Sequence, residues 1–402
     1  MKTNFKRLKE KSIECILMLS SAATSIIVVL IVFFLFMEGA GVFTKKPIED
    51  GFLLAVSPSN PVKKLEPSQI KDIFDQKITN WKEVGGKDEP IVLFRTSDIS
   101  TYYTDEELGE NFEFFPAKIN ELISKQPGII AFFSDKYKAE NFSGRELEIN
   151  KIKVFEFLSG EEWFPTAQPI AQMGVKPLIY GTLWVSLGAI LIALPIGLAA
   201  AIFLSEIARK KVRNLVKPLI ELLAGIPSVV YGFFGLVVIV PLIQSTFNLP
   251  VGETGLAGSV VLAIMALPTI ITLSEDAMRN TPRAMKEASL ALGASQWQTI
   301  YKVVIPHSAS GITAGAILGI GRAIGETMAV LMVTGNAAVI PHTLLEPVRT
   351  IPATIAAELG EAPNGGLHYE ALFALGCILF IITFGINLLV ELVSSKQKHK
   401  KH

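Results

Sequence analysis

The sequence predicts an all-α polytopic membrane protein with six transmembrane helices and an α/β insertion, outside the cytoplasm, between the first two helices. Hydrophobic residues make up 50% of the 402 positions and charged residues only 18%, whereas ordinary globular chains are about 25% charged. The segment Thr44–Pro177 has a soluble composition and is long enough for a small domain. Runs of roughly 20 apolar residues can cross the lipid core as helices, and they occur at about Ile13–Met37, Leu178–Ser205, Pro218–Ile243, Gly255–Leu273, Ala309–Val333 and Tyr369–Val393.

Lysine and arginine are concentrated in particular connecting segments, and this bias predicts the orientation of the helices. The link Thr246–Thr254 has no base, and the link Asn336–His368 has only Arg349. We therefore expect both termini in the cytoplasm and residues 44–177 outside it. The expected cytoplasmic bases, from the amino end to the tail, are Lys2, Lys6, Arg7, Lys9, Lys11, Arg209, Lys210, Lys211, Arg213, Lys217, Arg279, Arg283, Lys286, Lys302, Lys396, Lys398, Lys400 and Lys401.

This arrangement divides the chain into residues 1–43 with the first helix, the insertion 44–177, a five-helix core 178–395 and a basic tail 396–402. The first span is expected to remain as a helix, because its apolar run exceeds the core of about 7–15 residues in a signal peptide. A signal peptide is the alternative. Cys15 and Cys377 fall inside predicted spans and are interpreted as packing residues, since the insertion has no cysteine to form a disulfide.

The chain lacks the motifs of an enzyme. No G-x-x-x-x-G-K-[ST] phosphate loop is present, since Lys87 is followed by Asp88. The five histidines are scattered and show no metal-ligand spacing. We therefore predict no catalytic site, no metal, no cofactor and no nucleic-acid partner.

The insertion has the pattern of an α/β domain. Phe52–Val56 predicts a short strand, and Ile91–Phe94 predicts a later one. Between them, Pro67–Phe74 predicts a helix with proline near its start.

Several runs in the insertion resemble the phosphate-binding protein of bacterial phosphate importers: Asp72–Phe74, Lys77–Gly86 and Gln126–Phe132. The resemblance covers only a piece of one of that protein's two lobes. Its phosphate loop, R-x-(D/E)-x-S-G-T, corresponds to Arg95–Thr101, which keeps the arginine and the final threonine but has no glycine. Because a flexible backbone cradles anions through its N–H groups, we predict a docking or structural module rather than a phosphate site.

The link between the fourth and fifth spans carries a coupling motif. Glu287-Ala288-Ser289, Gly293 and Pro306 resemble, in type and spacing, the EAA loop of bacterial ABC importer permeases. Gly293 permits a bend between short helices, and Pro306 suits the first turn of the next helix. The resemblance implies that residues of about 284–306 dock on a separate ATP-binding subunit. An amphipathic cytoplasmic linker is the alternative.

Three glycines of the fifth span, Gly311, Gly315 and Gly319, recur at four-residue spacing and therefore share one helix face. Small residues on one face let helices approach closely in lipid. The sequence leaves open whether this face packs within the bundle or against a second permease subunit.

Arg322 and Glu326 are charged residues inside the same apolar run. Their spacing predicts that they share a helix face. A charge near the bilayer centre costs roughly 3 kcal/mol or more, so such residues usually face a protein interior or a water-filled path. Arginine suits an oxyanion through paired hydrogen bonds, and a structural ion pair is the alternative.

The run Gly321–Val330 resembles the phosphate-specific ABC importer permease of the PstC type, and Leu223–Gly232 resembles the third span of that family. Pro227 is expected to kink or open this span. The resemblance, over about residues 178–395, implies the type I importer permease fold and a phosphate pathway at Arg322 and Glu326. The partners it implies are an ATP-binding subunit, a second permease subunit of the PstA type and a periplasmic phosphate-binding protein. A permease for molybdate or sulfate and a phosphate sensor are alternatives.

Overall fold

The computed structural model describes the backbone of residues 2–109 and 111–399 and the side chains of residues 13–109 and 111–392. Within these residues, six helical segments are long and apolar enough to cross a membrane, as predicted. We number these spans first to sixth, and they are Ile13–Gly41, Lys176–Ile207, Ser228–Phe247, Gly255–Arg279, Gln296–Ile324 and Leu367–Leu392.

The described α-helices are α1 (Lys2–Gly41), α2 (Pro67–Phe74), α3 (Asp105–Leu108), α4 (Phe115–Lys125), α5 (Val154–Ser159), α6 (Lys176–Ile202), α7 (Lys210–Ala224), α8 (Ser228–Phe234), α9 (Val240–Phe247), α10 (Gly255–Arg279), α11 (Arg283–Ala291), α12 (Gln296–Thr299), α13 (Ile305–Ile324), α14 (Met328–Val333), α15 (Ile351–Glu358) and α16 (Leu367–His399). The described strands are β1 (Phe52–Val56), β2 (Lys64–Leu65), β3 (Val92–Arg95), β4 (Ile129–Ser134), β5 (Arg145–Glu146), β6 (Glu148–Ile149), β7 (Trp163–Phe164) and β8 (Gln172–Met173). Single π-helical turns are at Phe203–Ile207, Gly235–Ile239 and Ile300–Val304.

The chain folds into two compact units. The first contains the residues up to Val154 together with Thr166–Ala171 and Pro363–Cys377, and the second contains Phe155–Pro165, Gln172–Ala362 and the residues from Ile378 onwards.

The insertion in the first unit is built on a four-stranded sheet of order β3-β4-β1-β5. Strand β4 pairs antiparallel with β1 and parallel with β3. Because side chains alternate along a strand, Leu54 and Ile130 enter the core that α2 covers, whereas Ala55 and Ile129 enter the core that α4 covers. The predicted elements Phe52–Val56 and Pro67–Phe74 are confirmed, and the predicted strand at Ile91 begins one residue later.

The first unit also contains a close contact between α1 and the start of α16. A Cβ on Gly39 would lie 2.9 Å from the backbone nitrogen of Ala374. The Cys377 thiol donates to the carbonyl of Leu35 at 3.3 Å. The predicted packing role is confirmed for Cys377, whereas the Cys15 side chain is exposed.

In the second unit, α10 is the central helix, since 61% of its most apolar stretch is buried, more than in any other span. Small residues let the neighbouring helices approach it closely. Ser259 donates to the Val185 carbonyl of α6 at 3.1 Å, and a Cβ on Gly188 would clash with the Ser259 hydroxyl. Helices that approach this closely are held by van der Waals packing and interhelical hydrogen bonds.

The predicted start of the third span, Pro218, is wrong. Residues Lys210–Ala224 form the separate amphipathic helix α7, and the span itself begins at Ser228. The expected effect of Pro227 is confirmed, because the helix is interrupted there and Tyr231 donates its hydroxyl to the Leu223 carbonyl across the gap at 2.8 Å.

The predicted bounds of the fifth span, Ala309–Val333, are also wrong. The helix runs from Gln296 to Ile324, and a non-helical link precedes the short helix α14. At the interruption, the Thr327 hydroxyl donates to the Gly325 carbonyl at 3.3 Å, and a side-chain bond of this kind competes with helical bonding.

Candidate functional site

Arg322 and Glu326 lie at a helix end rather than on one helix face. Arg322 is in the last turn of α13, and Glu326 is in the non-helical link before α14. The prediction of a shared face is therefore wrong. Both side chains are half-buried, and among the described residues no ion pair within 4 Å joins them. Their separation leaves each charge free to meet a third group.

The helix that follows this interruption, α14, packs against α8 at the start of the third span. A Cβ on Gly232 of α8 would lie 2.8 Å from the Met332 sulfur and 2.9 Å from Cα of Ala329, both in α14. Tyr231 shares a buried core with Ala329. Helices α8 and α14, each preceded by a non-helical link, thus contact each other. Non-helical backbone at membrane depth is tolerated where it is buried in protein or lines a cavity.

A cavity of about 530 Å³ opens at the same link. Gly325 and Thr327, on either side of Glu326, form one wall, and α15 with the residues after it forms another. The lining residues are Gly325, Thr327, Pro352, Ile355, Ala356, Leu359, Gly360 and Leu379.

The glycine face of α13 packs against α10 of the same chain. A Cβ on Gly311 would clash with Cβ of Ala277. A Cβ on Gly315 would lie 3.1 Å from Cβ of Leu273, and one on Gly319 would lie 2.8 Å from the Ile270 side chain. This face is therefore occupied by the bundle itself.

The coupling motif folds as two short helices joined by a bend. Helix α11 contains Glu287, Ala288 and Ser289, and Gly293 follows it with a φ of +84°. This left-handed conformation is the one that glycine adopts without cost, so the predicted bend is confirmed. Ser295 then caps α12, accepting from the backbone N–H of Gln298 at 3.2 Å.

The outer surface of this loop is exposed and partly apolar. Glu287 and Ala288 are exposed, Leu292 is 90% exposed, and Trp297 is 62% exposed. The loop therefore presents two large apolar side chains at its surface.

The inner side of the loop is fastened to the bundle. Lys286 pairs with Glu206 at 2.7 Å, and the hydroxyls of Ser289 and Thr299 are 3.0 Å apart. Ser289 therefore braces α11 against α12. Pro306 follows the π-helical turn Ile300–Val304, and this wide turn accommodates a residue that has no N–H and whose ring crowds the preceding turn.

A charged cluster that the sequence reasoning missed lies where the fourth span meets this loop. Glu275 is 1% exposed, and its carboxylate pairs with Lys217 of α7 at 2.5 Å and with Arg279 at 3.4 Å. Lys217 also pairs with Asp276 at 2.6 Å. The available signal was the pair of acids Glu275-Asp276 at the end of an apolar run, but their partner is distant in sequence.

The loop of the insertion that corresponds to a phosphate loop is already occupied by its own side chains. The backbone N–H of Arg95 donates to the Asp98 carboxylate at 2.8 Å. The Arg95 guanidinium is exposed and stacks on Phe74, 5.4 Å from the ring centre. The expectation of a degraded anion site is consistent with this geometry.

Comparison with known proteins identifies the family. Residues 193–399 match the model of the binding-protein-dependent transport system inner membrane component. The chain belongs to this family. Residues 38–184 match the model of the PBP superfamily domain. Membership confirms the predicted permease fold class and places this inner membrane component among multi-pass transport proteins rather than enzymes.

Individual relatives share much of the length of this transport component. It is 40% identical over 250 residues to the probable ABC transporter permease protein YqgH of Bacillus subtilis, covering 62% of this chain and 81% of that protein. It is 41% identical over 249 residues to the phosphate transport system permease protein PstC of Mesorhizobium japonicum, covering 57% of this chain and 75% of that protein. A solved putative phosphate ABC transporter substrate-binding protein with bound phosphate from Clostridium perfringens matches 27% of this chain and 49% of its own length at 31% identity, with a TM-score of 0.20.

Proposed function

We propose that this chain is the permease subunit of an ATP-driven importer that moves inorganic phosphate across the cytoplasmic membrane. The observation that carries the proposal is the likeness to phosphate transport permeases, which extends over 75% of one such relative and 84% of another. A binding protein, a second permease subunit and an ATP-binding subunit complete the importer.

Arg322 and Glu326 are the proposed pathway residues. Phosphate is an oxyanion, and the planar guanidinium can bind two of its oxygens at once. The helix interruption leaves Arg322 without an ion pair to Glu326, so its donors are available to a passing anion. The negative charge of Glu326 repels phosphate and so weakens its binding to Arg322, which favours release along the pathway.

The exposed face of the coupling loop is the proposed docking site for the ATP-binding subunit. Glu287 and Leu292 lie on its accessible side, whereas Lys286 attaches the loop to the bundle through Glu206, and Ser289 holds α11 against α12. A push on this surface is therefore transmitted to the helices. Gly293 sets the angle between the two short helices that carry the surface.

The proposed orientation has both termini in the cytoplasm and residues 44–177 outside, which puts the coupling loop on the side where ATP is present. The insertion then faces the compartment of the binding protein. We infer that it recruits or positions that protein and does not hold phosphate, because Asp98 occupies the backbone donor of Arg95.

Phosphate uptake by cells that depend on this importer tests the function. Radiolabelled phosphate should enter only when the ATP-binding subunit is active, and excess unlabelled phosphate, but neither sulfate nor molybdate, should compete. A variant of the ATP-binding subunit that cannot hydrolyse ATP is the matched control. Competition by sulfate or molybdate at similar concentration would contradict phosphate specificity, and uptake without ATP hydrolysis would contradict an ATP-driven importer.

A further inference from the structure

The last segment of the insertion before the second span, residues 155–175, is held together by close backbone contacts. Gly174 lies so close to Gly160 that a Cβ on Gly160 would be 2.6 Å from Cα of Gly174. The N–H of Gly174 donates to the Glu162 carbonyl at 2.9 Å, and β7 pairs antiparallel with β8. Trp163 of β7 is consequently buried, with 0% exposure, against Phe157 at a centroid distance of 6.3 Å. The position of its indole is fixed by this packing.

The indole of Trp163 reaches a charged pair at the end of α15. Its Nε1 donates to Oε2 of Glu358 at 3.0 Å. The other carboxylate oxygen, Oε1, pairs with the Arg349 guanidinium at 2.9 Å, and these two side chains are only 14% and 19% exposed. Charge-assisted hydrogen bonds in partly buried surroundings are among the stronger polar contacts. We call these three residues, Trp163, Arg349 and Glu358, the outer latch.

The two ends of α15 are held in different ways. At its start, the N–H of Ile351 donates to the Thr182 hydroxyl of α6 at 2.9 Å, and a Cβ on Gly181 would clash with the Arg349 carbonyl. This end is bound directly to the second span. At its other end, Glu358 attaches α15 to Trp163, in the closing segment of the insertion.

Helix α15 forms a wall of the 530 Å³ cavity at the proposed pathway residues. Ile355 and Leu359 line it together with Gly325 and Thr327, which flank Glu326 in the sequence. A displacement of the Glu358 end of α15, with the Ile351 end held, changes the width of this cavity.

We propose that the outer latch is a positioning device for transport, by which the closing segment of the insertion sets the position of α15 and thereby opens or closes the outer side of the pathway. Trp163, Glu358 and Arg349 are positioning residues, because they do not line the cavity. The inference rests on the proposed function and adds the route by which an event outside the membrane reaches the pathway.

The test uses the complete importer in proteoliposomes with phosphate-loaded binding protein. Trp163→Phe keeps an aromatic ring and removes the N–H donor, although the smaller ring leaves part of the buried indole site empty. Trp184→Phe, at a tryptophan that is 36% exposed on α6, is the control for the same substitution. We expect Trp163→Phe to lower both uptake and the stimulation of ATPase by the binding protein about tenfold. Basal ATPase should equal that of the wild type, the smaller buried ring should lower the melting temperature in detergent only modestly, and Trp184→Phe should change nothing.

Glu358→Gln and the double variant provide the second measurement. Glu358→Gln keeps an acceptor for the indole and loses the charge. If the three residues act as one unit, the double variant Trp163→Phe/Glu358→Gln should be no worse than the more affected single variant. Wild-type stimulation in Trp163→Phe overturns the proposal, and so does a loss of stimulated ATPase that is matched by an equal loss of basal ATPase. Absence of phosphate uptake by the wild-type importer instead refutes the proposed function.

Discussion

Arg322 and Glu326 acquire their setting from the residues between them. Arg322 lies in the last turn of α13, where the partial negative charge of the helix end favours a cation. Gly325 ends the helix, and Glu326 follows in the link. The two charges are thus placed at one interruption without neutralising each other.

Replacement of Arg322 tests the pathway directly. Arg322→Gln should abolish phosphate uptake while the complex still assembles, because it removes the charge that attracts the oxyanion. Arg322→Lys keeps the charge without the planar fork and should retain partial uptake. The measurement is initial uptake rate, normalised to the amount of purified complex. Wild-type uptake by Arg322→Leu/Glu326→Leu would show that the charges have no direct role.

Gly293 tests the bend of the coupling loop. A Cβ at this position meets no atom within 4 Å, so the cost of Gly293→Ala is only the strain of the positive φ. That strain is about 1 kcal/mol, and we expect weaker copurification of the ATP-binding subunit and reduced uptake. Gly385→Ala, equally unobstructed but with an ordinary φ in α16, is the control. Equal copurification in both variants would contradict a need for this bend.

At the scale of elements, the buried carboxylate of Glu275 ties α7 to the end of α10, next to the start of α11. Lys217 is also subject to burial, which by itself lowers the pKa of its amine. The hydrogen bonds to Asp276 and Glu275 outweigh that effect and raise the pKa above the usual value. The amine therefore stays charged at neutral pH, and the contact persists up to strongly alkaline pH.

Removal of Lys217 should destabilise the bundle. Lys217→Met leaves Glu275 with Arg279 alone, and breaking a buried pair costs about 3–5 kcal/mol at most. We expect a lower melting temperature in detergent, whereas Lys210→Met, at an exposed position of the same helix, should leave it unchanged. The double variant Lys217→Met/Glu275→Gln should regain part of the lost melting temperature, because it removes the buried charge that Lys217→Met leaves behind. Equal melting temperatures for the two lysine variants would argue against the cluster.

The loop Arg95–Thr101 of the insertion is expected to have no part in phosphate uptake. Arg95→Ala should leave the KM for phosphate uptake unchanged, because the exposed guanidinium stacks on Phe74 and the loop N–H is taken by Asp98. The KM is measured from uptake rates over a range of phosphate concentrations. Arg322→Gln, which is expected to abolish uptake, is the control. A KM raised tenfold or so would revive a phosphate site in the insertion.

At the scale of the whole molecule, the proposed orientation has a direct test. With Cys15 and Cys377 replaced by serine, Lys87→Cys in the insertion should react with a membrane-impermeant maleimide in intact cells. Lys211→Cys, exposed between the second and third spans, should react only after the membrane is opened. The reverse labelling would invert the topology and place the coupling loop on the side without ATP.

Much of the architecture is local and was therefore predictable from the sequence. Long apolar runs are recognised by lipid whatever their neighbours are, and all six spans were found. The strand Phe52–Val56, the helix Pro67–Phe74 and the bend at Gly293 follow from residue preferences over a few positions.

Only the tertiary structure decided where the fifth span is interrupted and which residues distant in the sequence form pairs. Apolar residues continue on both sides of Gly325–Thr327 in the sequence, but α13 ends at Ile324, and α14, which follows the gap, packs against α8 of the third span. The pairing of Lys217 with Glu275 and of Trp163 with Glu358 joins residues far apart in the chain. Hydropathy reports how a residue interacts with its solvent, whereas these contacts depend on which helices the fold brings together, and no local pattern encodes that choice.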